Sequence, residues 1–262
     1  MAEIKYFIGK EANSLYERIG GKREKALELF DYNTEDEILN YFCKSKNPEK
    51  INFIPILKFW RQKNCVESVQ EKLKVGNIDK IHFDFTDNFK KDVTNMCGLC
   101  ANTDVVCVGK DFRISVEVRL KESVCLTIRE MKIGRAAIVQ KIVESWLEAV
   151  QDFCKPDLAW IDDLPFKFLL RIVDACVNNS GNAIVLHQFF YKEAFDMRGW
   201  LERARIWKSI INPNERLSFY AQAIPIVGVD SYFSTGDFVE KLKLIALLVD
   251  AKGAGKEIYF VP

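Results

Sequence analysis

Residues 103–123, TDVVCVGKDFRISVEVRLKES, constrain the fold of this chain more than any other segment. They predict a short apolar strand that opens on Asp104, a turn around Gly109 and Lys110, and a second strand in which polar and apolar residues alternate. The apolar side chains of the second strand fill one face, which is predicted to be buried. The other face carries Ser115, Glu117, Arg119 and Lys121.

The length of the hairpin loop decides whether the two acidic residues meet. A loop with an even number of residues brings Asp104 onto the face that carries Glu117, whereas an odd number separates them. Two carboxylates on one face can bind one Mg²⁺ ion, which prefers one or two carboxylate oxygens and keeps waters at its other positions. A nearby cationic side chain would then orient a water or stabilise the charge that develops on a phosphate.

In spacing and hydrophobic pattern, residues 104–121 resemble the hairpin of the PD-(D/E)XK nuclease superfamily, the fold of most type II restriction endonucleases. The chain departs from that pattern at two positions. Thr103 stands where a proline often does, and Arg119 stands where a lysine is expected. Because a guanidinium cannot release a proton to assist a water, Lys121, two residues on and on the same face, could supply the ammonium instead.

The resemblance implies a Mg²⁺-dependent endonuclease of the restriction type that hydrolyses phosphodiester bonds of double-stranded DNA. It also implies a homodimer, because a symmetric dimer cuts both strands of a short duplex site. Glu11 or Glu17 on the first predicted helix could add an outer carboxylate. The expected metal ligands are Asp104 and Glu117. The candidate catalytic cations are Arg119 and Lys121.

Two other interpretations of the same residues stay open. One is a catalytically inactive nucleic-acid-binding or regulatory module on a similar fold, with Arg119 marking the loss of catalysis. The other is an ordinary α/β protein in which Glu117, Arg119 and Lys121 form a solvated strand face with weak cross-strand ion pairs.

The rest of the sequence predicts an α/β fold: a mixed central sheet flanked by helices, a restriction-endonuclease-like core, behind a helical N-terminal region. Apolar spacing predicts helices over residues 9–31, 33–46, 53–74, 134–153, 164–177, 197–211 and 236–250. Apolar runs predict further strands over residues 80–85, 183–191, 221–229 and 257–261. The order of hairpin, long helix and returning strand is like the common core of the superfamily.

Composition sets the outer limits. With 262 residues, 48% of them hydrophobic, the chain can bury one substantial core, and no linker divides it. We therefore expect a single domain, with a helical part over residues 1–76, a catalytic core over 80–191 and an extension over 192–262. Early charges and short apolar runs predict a soluble cytoplasmic protein without a membrane partner.

The eight cysteines are scattered through apolar segments, as expected of reduced thiols. Cys97 and Cys100 have the spacing of half a zinc site, but the sequence holds no second CxxC. Buried free thiols are therefore the favoured interpretation, and a metal at this pair stays the alternative.

Cationic residues are segregated although the net charge is only +1. Residues 44–74 carry eight cations against three acids, and residues 198–208 interleave four cations with two tryptophans. Each segment could follow a phosphate backbone or could be the solvated face of an amphipathic helix. The predicted DNA contacts are Lys58, Arg61, Lys63, Arg198, Arg203 and Arg205.

Overall fold

The computed structural model describes residues 4–8, 27–29, 53–85, 103–119, 126–191, 196–225 and 258–261. These residues form an eight-stranded mixed sheet with helices on both faces, which confirms the predicted fold class. The strands are β1 (Lys5–Ile8), β2 (Leu27–Leu29), β3 (Ile78–Phe85), β4 (Thr103–Gly109), β5 (Phe112–Arg119), β6 (Asn182–Tyr191), β7 (Leu217–Pro225) and β8 (Ile258–Phe260). The α-helices are α1 (Phe53–Arg61), α2 (Lys63–Leu73), α3 (Ile128–Met131), α4 (Ala136–Ala149), α5 (Phe166–Cys176) and α6 (Met197–Ile211).

Strand order across the sheet is β2-β1-β3-β4-β5-β6-β7-β8. Antiparallel pairing joins β3, β4 and β5, whereas β6 runs parallel to β5 and β7 runs parallel to β6. At the edges, β1 is parallel to β3, and β2 and β8 are antiparallel to their neighbours. The predicted hairpin is thus β4–β5, and the strand that returns after the helices lies directly beside it.

The hairpin loop consists of the two residues Lys110 and Asp111, an even number as the convergence of the two acids requires. The start of β6 holds this turn in place, because the Asn182 N–H donates to the Asp111 carbonyl at 2.8 Å. Gly181 makes this approach possible, since a Cβ there would overlap the Asp111 carbonyl oxygen.

The two faces of β5 have different surroundings. Ile114 and Val116 pack with α1 and α2 in one apolar cluster. The opposite face lies against α5, which contacts β4, β5 and β6. The long helix α4 was predicted to pack on the sheet. Instead α5 has the close contacts with the strands, and α4 packs against α5.

Three buried polar side chains form a chain of hydrogen bonds on the α1–α2 side. The Trp60 indole N–H donates to Gln188 Oε1 at 2.9 Å, and Gln188 Nε2 donates to Gln222 Oε1 at 2.7 Å. Gln188 and Gln222 are direct partners in the β6–β7 register. Both glutamines are buried, so these bonds satisfy groups that water cannot reach.

The N-terminal part was predicted to be helical, but it also contains strands. Lys5–Ile8 and Leu27–Leu29 form strands, so the helix expected over residues 9–31 is wrong at its C-terminal end. Several predictions fall outside the described residues, namely the helices over 33–46 and 236–250 and the roles of Glu11, Glu17, Cys97, Cys100 and Lys121.

The thiols of the described cysteines agree with the expectation of reduced, buried groups. Cys65, Cys107, Cys154 and Cys176 are all buried, and no disulfide joins them to one another. Within the described part of the chain, no helix is long and apolar enough to cross a membrane.

Candidate active site

Asp104 and Glu117 lie opposite each other on neighbouring strands. The antiparallel register pairs Val105 with Val116, and continuing it by one residue places Asp104 across from Glu117. The Val118 N–H donates to Asp104 Oδ2 at 2.8 Å, which fixes one oxygen of this half-buried carboxylate. The structure therefore brings together the two acids that the sequence predicted to converge.

Glu117 is almost completely buried, with 3% of its surface exposed. Its two oxygens face two different cations of α5. Arg171 Nε donates to Glu117 Oε2 in a short hydrogen bond, and Lys167 Nζ lies 3.9 Å from Glu117 Oε1. Arg171 is buried, whereas the side chain of Lys167 is 52% exposed. Lys167 thus has access to both Glu117 and solvent.

The charged side chains of helix α5 lie on one side of the helix. Lys167, Arg171 and Asp174 are spaced i, i+4 and i+7, which places them on one side of the helix. Arg171 Nη1 lies 3.0 Å from Thr103 Oγ1 and 3.4 Å from Asp174 Oδ2. Thr103 Oγ1 in turn donates to Asp174 Oδ2. A continuous charged network therefore links the start of β4 to α5.

Sequence reasoning missed Lys167, Arg171 and Asp174 as members of the site. A signal was present in the segment FKFLLRIVDAC. All of its residues except these three are apolar, and the three charged residues lie on one side of the helix. Charged side chains on an otherwise apolar helix indicate buried partners. Which partners they meet depends on the packing of α5 over β4 and β5.

The pKa values of the two acids are shifted in opposite directions. Burial and the neighbouring charge of Glu117 raise the pKa of Asp104 to about 6. Burial alone would also raise the pKa of Glu117, but the charges of Arg171 and Lys167 hold it below its ordinary value. Glu117 is therefore ionised at neutral pH, and Asp104 ionises only as the pH rises through about 6.

His187 lies beside Glu117, its partner in the β5–β6 register. The imidazole stacks on Phe168 and contacts Trp200, with ring centroids 5.5 and 4.9 Å apart. Neither ring nitrogen has a hydrogen-bond partner among the described residues. Burial and then the charge of Arg119 lower the pKa of His187 to about 3, so this histidine is neutral.

The two cations predicted from the hairpin have different outcomes. Arg119 ends β5, two residues beyond Glu117, and its charge acts on both Glu117 and His187. Lys121 lies outside the described residues. Lys167 is a third candidate for the same role, and the structure places its ammonium beside Glu117.

The two predicted DNA-binding segments lie on opposite sides of the sheet. Helices α1 and α2, which contain Lys58, Arg61 and Lys63, pack on the face away from Glu117. Helix α6 packs on the same face as α5, and its Trp200 contacts His187. Only the α6 segment is therefore on the side of the carboxylate pair.

The cations themselves have varied surroundings. Lys63 is exposed and lies 3.8 Å from Glu67, and the Arg61 guanidinium lies over the Tyr6 ring at 5.9 Å. Arg198 is exposed and lies 3.4 Å from Glu202. Arg203 and Arg205 are also exposed. These positions are compatible with phosphate contacts, and equally with the solvated face of a helix.

The donor set fits Mg²⁺ at the level of two carboxylates. Among the residues that the structure describes, no group of three or more His, Cys, Asp and Glu side chains is arranged to hold a metal ion. Mg²⁺, however, is commonly bound through one or two carboxylates plus waters and substrate phosphate. Asp104 and Glu117 are two carboxylates of this kind, and Glu117 also forms an ion pair with Arg171.

Comparison of the chain with family models, with curated proteins and with solved structures finds no match. The residues of the site therefore carry the functional inference.

Proposed function

We propose that this protein is a Mg²⁺-dependent endonuclease that hydrolyses phosphodiester bonds of double-stranded DNA, in the manner of a type II restriction enzyme. The observation that carries the proposal is the pairing of Asp104 and Glu117 across the β4–β5 hairpin. Burial, and then the charge of Glu117, raise the pKa of Asp104 at this position. Two carboxylates this close raise each other's pKa unless a cation lies between or beside them.

The roles of the side chains follow from their surroundings. Asp104 would hold the ion through the oxygen that faces away from Val118, and Glu117 through a carboxylate whose two oxygens also face Arg171 and Lys167. When bound, Mg²⁺ supplies an acidified water and neutralises charge on the phosphate. Lys167, exposed and 3.9 Å from Glu117, would orient the attacking water or stabilise the charge that develops on the phosphate.

The exposed cations of α6 support a DNA substrate. Arg198, Arg203 and Arg205 lie on a helix that packs on the same face of the sheet as the carboxylates. Backbone phosphates passing Glu117 could therefore also meet this helix. The cations of α1 and α2 would have to contact another part of the duplex or a second protomer, and a homodimer belongs to the proposal for this reason.

A second candidate function rests on the Glu117–Arg171 ion pair. The guanidinium already neutralises the buried carboxylate, so in this candidate an arginine takes the place of the metal ion. The protein would then bind DNA through the same cations without cutting it.

Incubation of the full chain with mixed duplex DNA distinguishes the two candidates. Mg²⁺ and EDTA are the paired conditions, and Asp111→Asn, an exposed acid in the turn of the same hairpin, is the matched control for Asp104→Asn. Discrete fragments that require Mg²⁺ and Asp104 are the expected result. A gel shift without cutting supports the binding module, and neither cutting nor a shift contradicts both candidates.

A further inference from the structure

Arg171 contacts two carboxylates at once. Its Nε donates to Glu117 Oε2, while its Nη1 lies 3.4 Å from Asp174 Oδ2 and 3.0 Å from Thr103 Oγ1. The guanidinium is 2% exposed, so water cannot replace either partner. Arg171 therefore lies between an acid of the proposed metal site and an acid outside it.

The two contacts are unequal. The contact with Glu117 is a charge-assisted hydrogen bond from Nε, whereas the 3.4 Å contact between Nη1 and Asp174 Oδ2 is near the limit of a hydrogen bond. Asp174 lies one turn along the same helix, so a small change in the Arg171 side chain would strengthen this second pair. A buried cation left without a partner is strongly disfavoured, and Asp174 is a second carboxylate that Arg171 already contacts.

A divalent cation at Glu117 would compete with this guanidinium. Both carry positive charge, both are attracted to the same carboxylate, and repulsion between them is strong in a site screened from water. Occupation of the site by a metal therefore requires that Arg171 transfer part of its interaction from Glu117 to another acceptor.

On the basis of the proposed metal site, we propose that Arg171 is a built-in competitor of the divalent cation. It holds Glu117 when the metal is absent and shifts toward Asp174 when the metal binds. Glu117 and Asp174 are then alternative partners of one buried cation, and the equilibrium between the two pairs sets the apparent metal affinity.

Calorimetric titration of the full chain with Mg²⁺ alone, and in parallel with Mn²⁺ alone, tests this competition without DNA. Arg171→Met is expected to bind the metal at least about tenfold more tightly than the native chain, because the competitor is gone. Asp174→Asn keeps the shape and an acceptor oxygen but not the charge, and it is expected to bind the metal about tenfold more weakly. Arg129→Met, which removes an exposed arginine paired with Asp163, is the matched control and should leave the affinity unchanged.

The outcomes separate this inference from the proposed function. If the native chain binds the metal and both variants bind it equally well, the competition is wrong while the metal site stands. Weaker binding by a folded Arg171→Met would also overturn it, because Arg171 would then be positioning Glu117 for the metal. Absence of binding in the native chain and in every folded variant would overturn both the competition and the site. If Arg171→Met does not fold, the direction of the change in Asp174→Asn decides.

Discussion

The two faces of β5 bury side chains of opposite character. On the α1–α2 side, Ile114 and Val116 pack among apolar residues. On the α5 side, Arg113, Ser115 and Glu117 are just as inaccessible to water. One strand of eight residues thus separates an ordinary apolar core from a buried charged network.

This contrast indicates that stability is a poor explanation for the charged face. Replacement of a buried ion pair by apolar side chains of similar volume is often neutral or stabilising. The apolar face has no such alternative, because each methyl group removed from it leaves a cavity. We infer that the α5 side is charged for the sake of chemistry or binding, and four experiments test this difference between the faces.

The largest expected effect is on catalysis. Asp104→Asn should lower Mg²⁺-dependent DNA cleavage by about a thousandfold or more, equivalent to about 4 kcal/mol of transition-state stabilisation. Cleavage is followed under single-turnover conditions above pH 7, where Asp104 is ionised. Val116→Ala, on the opposite face of the same hairpin, should retain the native rate once its folding is verified. Equal cleavage rates for Asp104→Asn and the native chain would rule out the proposed metal site.

The second effect concerns stability: on the charged face, a second substitution should restore what the first one loses. Glu117→Leu removes the carboxylate that pairs with the buried Arg171, and breaking such a pair should cost about 3 kcal/mol. Adding Arg171→Met should restore most of that loss in urea unfolding experiments.

On the apolar face, Ile114→Ala should cost a similar amount, about 3 kcal/mol, because it creates a cavity. If the double variant at Glu117 and Arg171 is no more stable than Glu117→Leu, the charged network contributes directly to folding and the contrast drawn above is incorrect.

The third effect identifies the catalytic cation. Lys167→Met should reduce cleavage by about a hundredfold while DNA affinity stays nearly unchanged. Because Lys167 is half exposed, unfolding stability should change by less than about 0.5 kcal/mol. Lys141→Met, an exposed lysine of α4, is the control. Normal cutting by Lys167→Met, together with loss of cutting in Lys121→Ala or Arg119→Ala, would show that the catalytic cation is a residue of the hairpin segment instead.

The fourth effect is a pH dependence of stability from His82, on β3. Burial and then the charge of Arg113 lower its pKa from 6.5 to about 3. The unfolded chain takes up a proton first, so this contribution to stability is complete above pH 6.5 and is lost as the pH falls toward 3. At pH 5 the loss is about 2 kcal/mol.

His82→Phe keeps the stacking on Phe7 but cannot be protonated. Its unfolding free energy should therefore fall by about 2 kcal/mol less than that of the native chain between pH 8 and pH 5. Identical pH profiles for the two proteins would show that His82 is protonated in the folded state.

The hairpin and its surroundings were predictable because their signals are local. Alternation in 103–119 gave the strands and the facing of Asp104 and Glu117. Helix α6, Met197–Ile211, was predicted with the observed bounds from its apolar spacing, and the structure shows that Asp196 caps its start. For these elements the periodic pattern and the turn residues agree with each other.

What could not be predicted depends on tertiary contacts. Strands β1 and β2 are short, and β1 pairs both with β2 and with β3, far along the chain, so no local pattern defines them. Arg171 and Asp174 enter the site only because α5 packs over β4 and β5. The two basic segments look alike in sequence, and only the packing of α1 and α6 places them on different sides of the sheet.

The Gln188–Gln222 hydrogen bond has a consequence for how the chain folds. Successive side chains of a strand point to opposite sides, so an offset of one residue between β6 and β7 would exchange their two faces. Only the native alignment pairs the two buried amides and gives the Trp60 indole its acceptor. Misaligned strands would leave these groups without partners in the interior, at a cost of about 1–3 kcal/mol each. The amide pair thus favours the native register of β6 and β7 over one that is offset by a single residue.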